Sequence, residues 1–93
     1  MITAIVLITA ERGAIPTLGE KIAEIEGVSE VYSVTGEIDF IAMVRCRKHD
    51  ELADIVTRRI GQVPGVVRTH THVAFKAYSR HDLESMFALG DAP

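Results

Sequence analysis

Two carboxylates, Glu37 and Asp39, stand where a strand-forming run begins in SVTGEIDFIAMV, residues 33–44. Gly36 precedes them. A tight turn needs the glycine, because only glycine enters positive φ without steric cost. It does not need an acid at the mouth of the following strand. Two readings remain open. Glu37 and Asp39 are ordinary polar turn residues, or Asp39 is a fixed anchor for a cationic ligand group. In the second reading the carboxylate accepts from an ammonium, and backbone amides beside the glycine donate to a carboxylate. That set of donors and acceptors suits the head group of an α-amino acid.

The stretch RTHTHV holds a second alternation. Thr69 and Thr71 share one face of a strand, directed either to the helices or to a sheet interface. They are there for strand propensity or as hydroxyls lining a small polar pocket. His70 and His72 share the opposite face. Unless His81 folds back, these two imidazoles lack a third ligand, and zinc sites use three or four. No metal site is expected. Imidazole titrates near pH 6.5, so the pair is placed to tune assembly with pH instead. Cys46, the single cysteine, excludes an intramolecular disulfide. It reads as a small buried hydrophobe, or as a reactive thiol beside Arg45 and Arg47. No G-x-S-x-G, G-x-G-x-x-G or P-loop occurs, and no catalytic constellation is present. The chain is therefore expected to be neither an enzyme nor a cofactor binder.

The elements that must position these residues follow from periodicity. ITAIVLITA (2–10) is apolar at odd and even positions alike, which marks a strand covered on both faces. Pro16 opens a helix, where its missing N–H costs nothing. Leu18, Ile22 and Ile25 then form one apolar stripe, and Gly27 ends the helix. Residues 28–35 and 39–46 are strands joined by the hairpin Thr35-Gly36-Glu37-Ile38. Residues 48–63 are a second helix, with Asp50 and Glu51 in its first turn and Arg58 and Arg59 in its last. Leu52, Val56, Ile60 and Val63 are its stripe. Residues 65–78 form a final long strand, and Ser79 and Asp82 have capping-box spacing for a short C-terminal helix through Phe87.

The order is β-α-β-β-α-β. An offset of 38 carries Ile22, Ile25, Gly27 and Val28 onto Ile60, Val63, Gly65 and Val66, and Ala4 and Val6 onto Ala42 and Val44. Two βαβ units joined by a hairpin make an α+β, ferredoxin-like sandwich. Its four-stranded antiparallel sheet has two helices on one face, because each crossover is right-handed. The other face stays apolar and bare, so dimerisation through the sheet is expected.

Composition narrows the classes. A chain of 93 residues is one domain, here 1–93 with 79–93 as a C-terminal extension. The net charge of −3 argues against nucleic-acid binding. The first apolar run falls far short of the ~20 residues of a membrane helix, and nothing resembles a signal peptide. A cytoplasmic protein without membrane contact is expected.

The motif I-x-G-V-x-x-V-Y-x-V-T-G-E-I-D-F, with G-V-V-R-T-H-T-H-V later, resembles the effector-binding (RAM) domain of Lrp/AsnC transcription regulators over about residues 2–78. The T-G-x-x-D hairpin is the more specific part. The resemblance implies sheet-to-sheet dimers assembled into octamers or decamers, with amino-acid effectors bound between neighbouring dimers. It assigns Asp39 to the ligand's amino group and Gly36 to close backbone approach. Thr35, Glu37 and Ile38 would flank the head group, with Thr69 and Thr71 contributing. Regulators of this family carry an N-terminal helix-turn-helix, whereas here Met1 leads directly into the first strand. The expected function is a stand-alone amino-acid sensor, acting alone or by mixed assembly with a full-length Lrp/AsnC regulator, without direct DNA binding. The alternatives are a small ferredoxin-like enzyme of monooxygenase type and a purely structural oligomerisation subunit.

Overall fold

The two parities of the first strand show how the molecule is layered. In the computed structural model, which describes residues 1–80, strand β1 runs Ile2–Ala10. Ala4, Val6 and Ile8 are fully buried, whereas Ile5 and Leu7 between them are only half-buried. Successive side chains of a strand point to opposite faces. One face of β1 is therefore roofed by helices, and the other has no layer over it.

A 3-10 turn (Arg12–Ala14) leads into helix α1 (Ile15–Ala23), where Pro16 sits in the first turn. Strands β2 (Val28–Ser33) and β3 (Phe40–Cys46) follow. Helix α2 (His49–Asp54) continues as a π-helical segment (Ile55–Arg59) and a 3-10 turn (Ile60–Gln62) before β4 (Val66–Val73). The sheet order is β2-β3-β1-β4, with every neighbouring pair antiparallel. This is the ferredoxin-like arrangement expected from the element order. Leu18 and Ile22 of α1 and Leu52, Ile55 and Ile60 of the second helical run meet Ala4, Val6, Ile8, Phe40, Ala42, Val44 and Cys46 in one core. Fully burying each larger side chain contributes about 1.5–3 kcal/mol.

Both helices return to the sheet through one device. Val28 N donates to Ile25 O at 3.0 Å and Val66 N to Val63 O at 3.1 Å, closing two four-residue turns. Their third residues, Gly27 and Gly65, have φ of 97° and 102°, as the third residue of a type II turn requires. A Cβ on Gly65 would lie 2.4 Å from Ala14 Cβ, and one on Gly27 2.4 Å from Ile55 Cδ1. These glycines serve close packing as well as the turn.

Several local expectations shift. Helix α1 ends before Ile25, which instead opens the Gly27 turn and still packs on the core. The second helix is not α-helical throughout, since the Ile60 amide reaches back to Ile55 O as well as Val56 O. Strand β4 stops at Val73 rather than 78, because its partner Ala4 lies near the start of β1; Ala74 N makes one more bond, to Thr3 O at 2.9 Å. The offset of 38 holds for the turns but not for the leading strands. Val66 pairs with Ala10 and Val28 with Val44, so Ala10 corresponds to Val44 at an offset of 34. The second half thus holds one more helical turn. The C-terminal helix expected from Ser79 to Phe87 lies, beyond Arg80, outside the described residues.

Candidate functional site

The hairpin between β2 and β3 is organised around Asp39. Val34 N donates to Asp39 O at 3.0 Å, closing the loop Thr35-Gly36-Glu37-Ile38, and Asp39 N donates to Ile8 O at 2.9 Å. Strand β1 continues to Ala10, past the last β3 residue paired with it, Phe40. The Ala10 amide there has run out of β3 main chain to pair with. The Asp39 side chain takes the place of the missing ladder partner, and its Oδ2 accepts from Ala10 N at 2.7 Å. A hydrogen bond to a charged group contributes about 1.5–3 kcal/mol. The acid thus has a definite structural task. That task occupies one of two carboxylate oxygens, each of which can accept more than one bond.

Gly36 has φ of 108°, and no atom lies within 4 Å of where its Cβ would stand. Its conformation demands glycine, and the space beside it is open. Thr35, Gly36 and Glu37 are exposed, while Ile38 and Asp39 are half-buried. These five residues form one contiguous rim at the end of the sheet.

Thr69 and Thr71 do not join that rim within one chain. They pair with Ile8 and Val6, so their side chains are on the helix-facing side of edge strand β4. Strand β1 separates them from β3, roughly 10 Å away at the usual strand spacing. Grooves mark the surface of the described residues. One, of about 710 Å³, lies at the far end of the sheet between Met1, Gly27, Cys46 and Ile55, with Arg45 and Asp50 among its charged lining. Another, of about 520 Å³, runs between α1 and β2 past Pro16, Gly19, Ser33 and Phe40, beside the hairpin stem. Neither takes in residues 35–39.

His70 and His72 are exposed on the open sheet face, with ring centroids 4.9 Å apart and planes 14° from parallel. Among the described residues no group of three or more His, Cys, Asp or Glu could hold a metal ion. Cys46 is buried, 6% exposed, and its thiol donates to Lys48 O at 3.5 Å. That is the setting of a small hydrophobe. Sequence reasoning missed the bond between Glu30 and Tyr32 on the open face of β2, where Tyr32 Oη donates to a Glu30 carboxylate oxygen. The bond raises the phenol above its ordinary value, with desolvation and the Glu30 charge adding to it and Arg45 opposing. Positions 30 and 32 share a strand face, which is the signal that could have found it. No helix among the described residues is long and apolar enough to cross a membrane.

Comparison with known proteins agrees with this geometry. The transcriptional regulator FL11 of Pyrococcus abyssi is 31% identical over 75 residues, 81% of this chain and 49% of its own length. The chain thus spans about half the length of such relatives. The crystal structure of TTHA0845 from Thermus thermophilus superposes with a TM-score of 0.80 at 51% identity, over 86% of this chain and 100% of that one. At the level of fold alone, the Neisseria meningitidis regulator NMB0573 in its L-Met complex matches with a TM-score of 0.77 at 14% identity, over 85% of this chain and 53% of that one. The profile of the Lrp/AsnC ligand binding domain covers residues 3–83, and with the split βαβ sheet and the Thr35–Asp39 hairpin in place, the chain belongs to that family.

Proposed function

We propose that this chain is a non-catalytic amino-acid-binding effector module that senses its ligand at the 35–39 hairpin and passes the signal on through assembly. The observation that carries the reading is the Asp39 carboxylate, tethered to Ala10 N at 2.7 Å beside a positive-φ glycine with open space around it. A tethered carboxylate presents its second oxygen in a fixed direction, as an ammonium anchor needs. Loop amides next to Gly36 donate to the ligand carboxylate, and Thr35, Glu37 and Ile38 flank it. The rim is open within one chain, so a neighbouring subunit closes the pocket, and Thr69 and Thr71 reach a ligand from that neighbour. The L-Met complex of the Neisseria regulator is in keeping with an amino-acid effector.

The apolar open face of the sheet pairs copies into dimers, and the dimers associate into an octamer or decamer. Relatives that are named as transcriptional regulators point to a role in gene regulation in the cytoplasm. The module acts by assembling with its own copies or by joining a full-length Lrp/AsnC regulator, and its net charge of −3 argues against a direct contact of its own with DNA. The Asp39 bond to Ala10 also favours a second reading, a structural oligomerisation subunit in which the acid only clamps the hairpin.

Thermal denaturation with each of the twenty amino acids, on wild type and Asp39→Asn, separates the two. Asparagine keeps an oxygen for the Ala10 amide and removes the charge. A ligand at 100 times its dissociation constant adds about 2.7 kcal/mol of stability. The sensor reading expects one or a few amino acids to stabilise wild type and, at the same concentration, to stabilise the variant by only about 0.4–1.4 kcal/mol. A flat response to all twenty sinks it and leaves the structural subunit.

A further inference from the structure

We propose that His70 and His72 form a proton-operated latch on the open sheet face: a second copy covers this face while both imidazoles are neutral and leaves when the pair takes up a proton. The inference rests on the sheet-to-sheet pairing proposed above and adds its regulation.

The occupant follows from the face itself. Four strands of about seven residues, at ~3.3 Å per residue and ~4.8 Å between strands, cover roughly 450 Å² in projection. Two such faces together cover ~900 Å² before corrugation, close to the ~1,000 Å² that marks a credible interface. Glu30 is on edge strand β2 and Arg68 on edge strand β4, so acid and base occupy opposite margins of one face. A two-fold pairing needs such a self-complementary surface.

The histidines sit where charge is least welcome. His72 lies directly across from Ile5 and His70 from Leu7, on β1, the strand beside β4. The residues that β1 presents to this face carry no charge. The charged or titratable groups elsewhere on the face are Arg68 on β4, Arg45 on β3, and Glu30 and Tyr32 on β2. Arg68 is two positions before His70 on the same face of the same strand, and its fixed positive charge opposes a second one. Glu30 is at the opposite edge and accepts from Tyr32 Oη. On pairing, Glu30 finds a guanidinium, which stays charged, in preference to an imidazole.

Covering the face removes water from two rings already 4.9 Å apart. Desolvation and a like charge both disfavour the protonated form. Protonation is thus easier in the separated copy, and lowering the pH draws the equilibrium toward it. The sign follows: pairing is favoured as pH rises and is lost as pH falls, because the separated copy binds protons that the paired one excludes. With one proton gained per copy, the dimer dissociation constant rises about 100-fold between pH 7.5 and pH 5.5.

Sedimentation equilibrium at pH 7.5, 6.5 and 5.5 and constant ionic strength tests this on wild type and the double variant His70→Gln/His72→Gln, with far-UV circular dichroism at each pH. The expected result is a dissociation constant that climbs about 100-fold in wild type, changes less than about 3-fold in the variant, and leaves the secondary structure intact. A pH-independent wild-type dimer, one that tightens on acidification, or a variant that tracks wild type overturns the latch while keeping the sheet-face dimer. Loss of secondary structure across this range overturns it too, because protons then act on the fold. Absence of self-association at every pH overturns the pairing itself.

Discussion

Asp39 Oδ2 accepts from the backbone amide of Ala10, 29 positions earlier in the chain, at 2.7 Å. One side chain thereby stands in for the strand residue that the hairpin removes from the β1–β3 ladder. The same carboxylate is the proposed ligand anchor, so structural and binding effects at this position must be separated by the choice of substitution.

Asp39→Ala removes both roles. It leaves a half-buried amide unpaired, and a loss of about 1.5–3 kcal/mol in unfolding free energy is expected from urea titration. Asp39→Asn retains a neutral acceptor and is expected to lose less than about 1.5 kcal/mol. A negligible loss in Asp39→Ala would mean that the Ala10 bond carries no weight.

Affinity divides differently. Loss of a charge-assisted bond to a ligand ammonium weakens binding about 10- to 100-fold in both variants, as read by calorimetric titration of the stabilising amino acid. An Asp39→Asn protein that binds as tightly as wild type removes Asp39 from the site.

Gly65→Ala and Gly36→Ala impose similar backbone strain in different surroundings. At Gly65 the new Cβ meets Ala14 Cβ at 2.4 Å, whereas at Gly36 it meets nothing within 4 Å. Strain alone costs roughly 1–2 kcal/mol, and overpacking adds about 1–3 kcal/mol more. Gly65→Ala is expected to be the more destabilising by at least about 1 kcal/mol in chemical denaturation. The reverse order would contradict the packing of the Gly65 turn against Ala14.

The two faces of the sheet predict opposite outcomes for apolar residues. Ile22 of α1 is fully buried against the covered face, and Ile22→Ala is expected to cost about 2–5 kcal/mol of folding stability. Leu7 lies on the open face, so Leu7→Glu is expected to leave the fold intact and shift a dimer to monomer in size-exclusion chromatography with light scattering. A dimeric Leu7→Glu protein would place the interface elsewhere.

By itself the sequence determined whatever depends on neighbours along the chain. The unbroken apolar run of β1, the helical stripe of Leu18 and Ile22 and the Thr35–Ile38 turn were all legible, because propensity and patterning act within a few residues. Alternation shows that Thr69 and Thr71 share a face but not which face. Only the pairing of Ile8 with Thr69 assigned them to the helix side. Alternation is also blind to an even slip, which is why an offset of 38 carried Ala4 onto Ala42 without conflict although the register is 34. The bond from Ala10 to Asp39 was beyond reach for the same reason. It exists because three strands come together at one sheet end, and no local pattern records where β1 outruns β3.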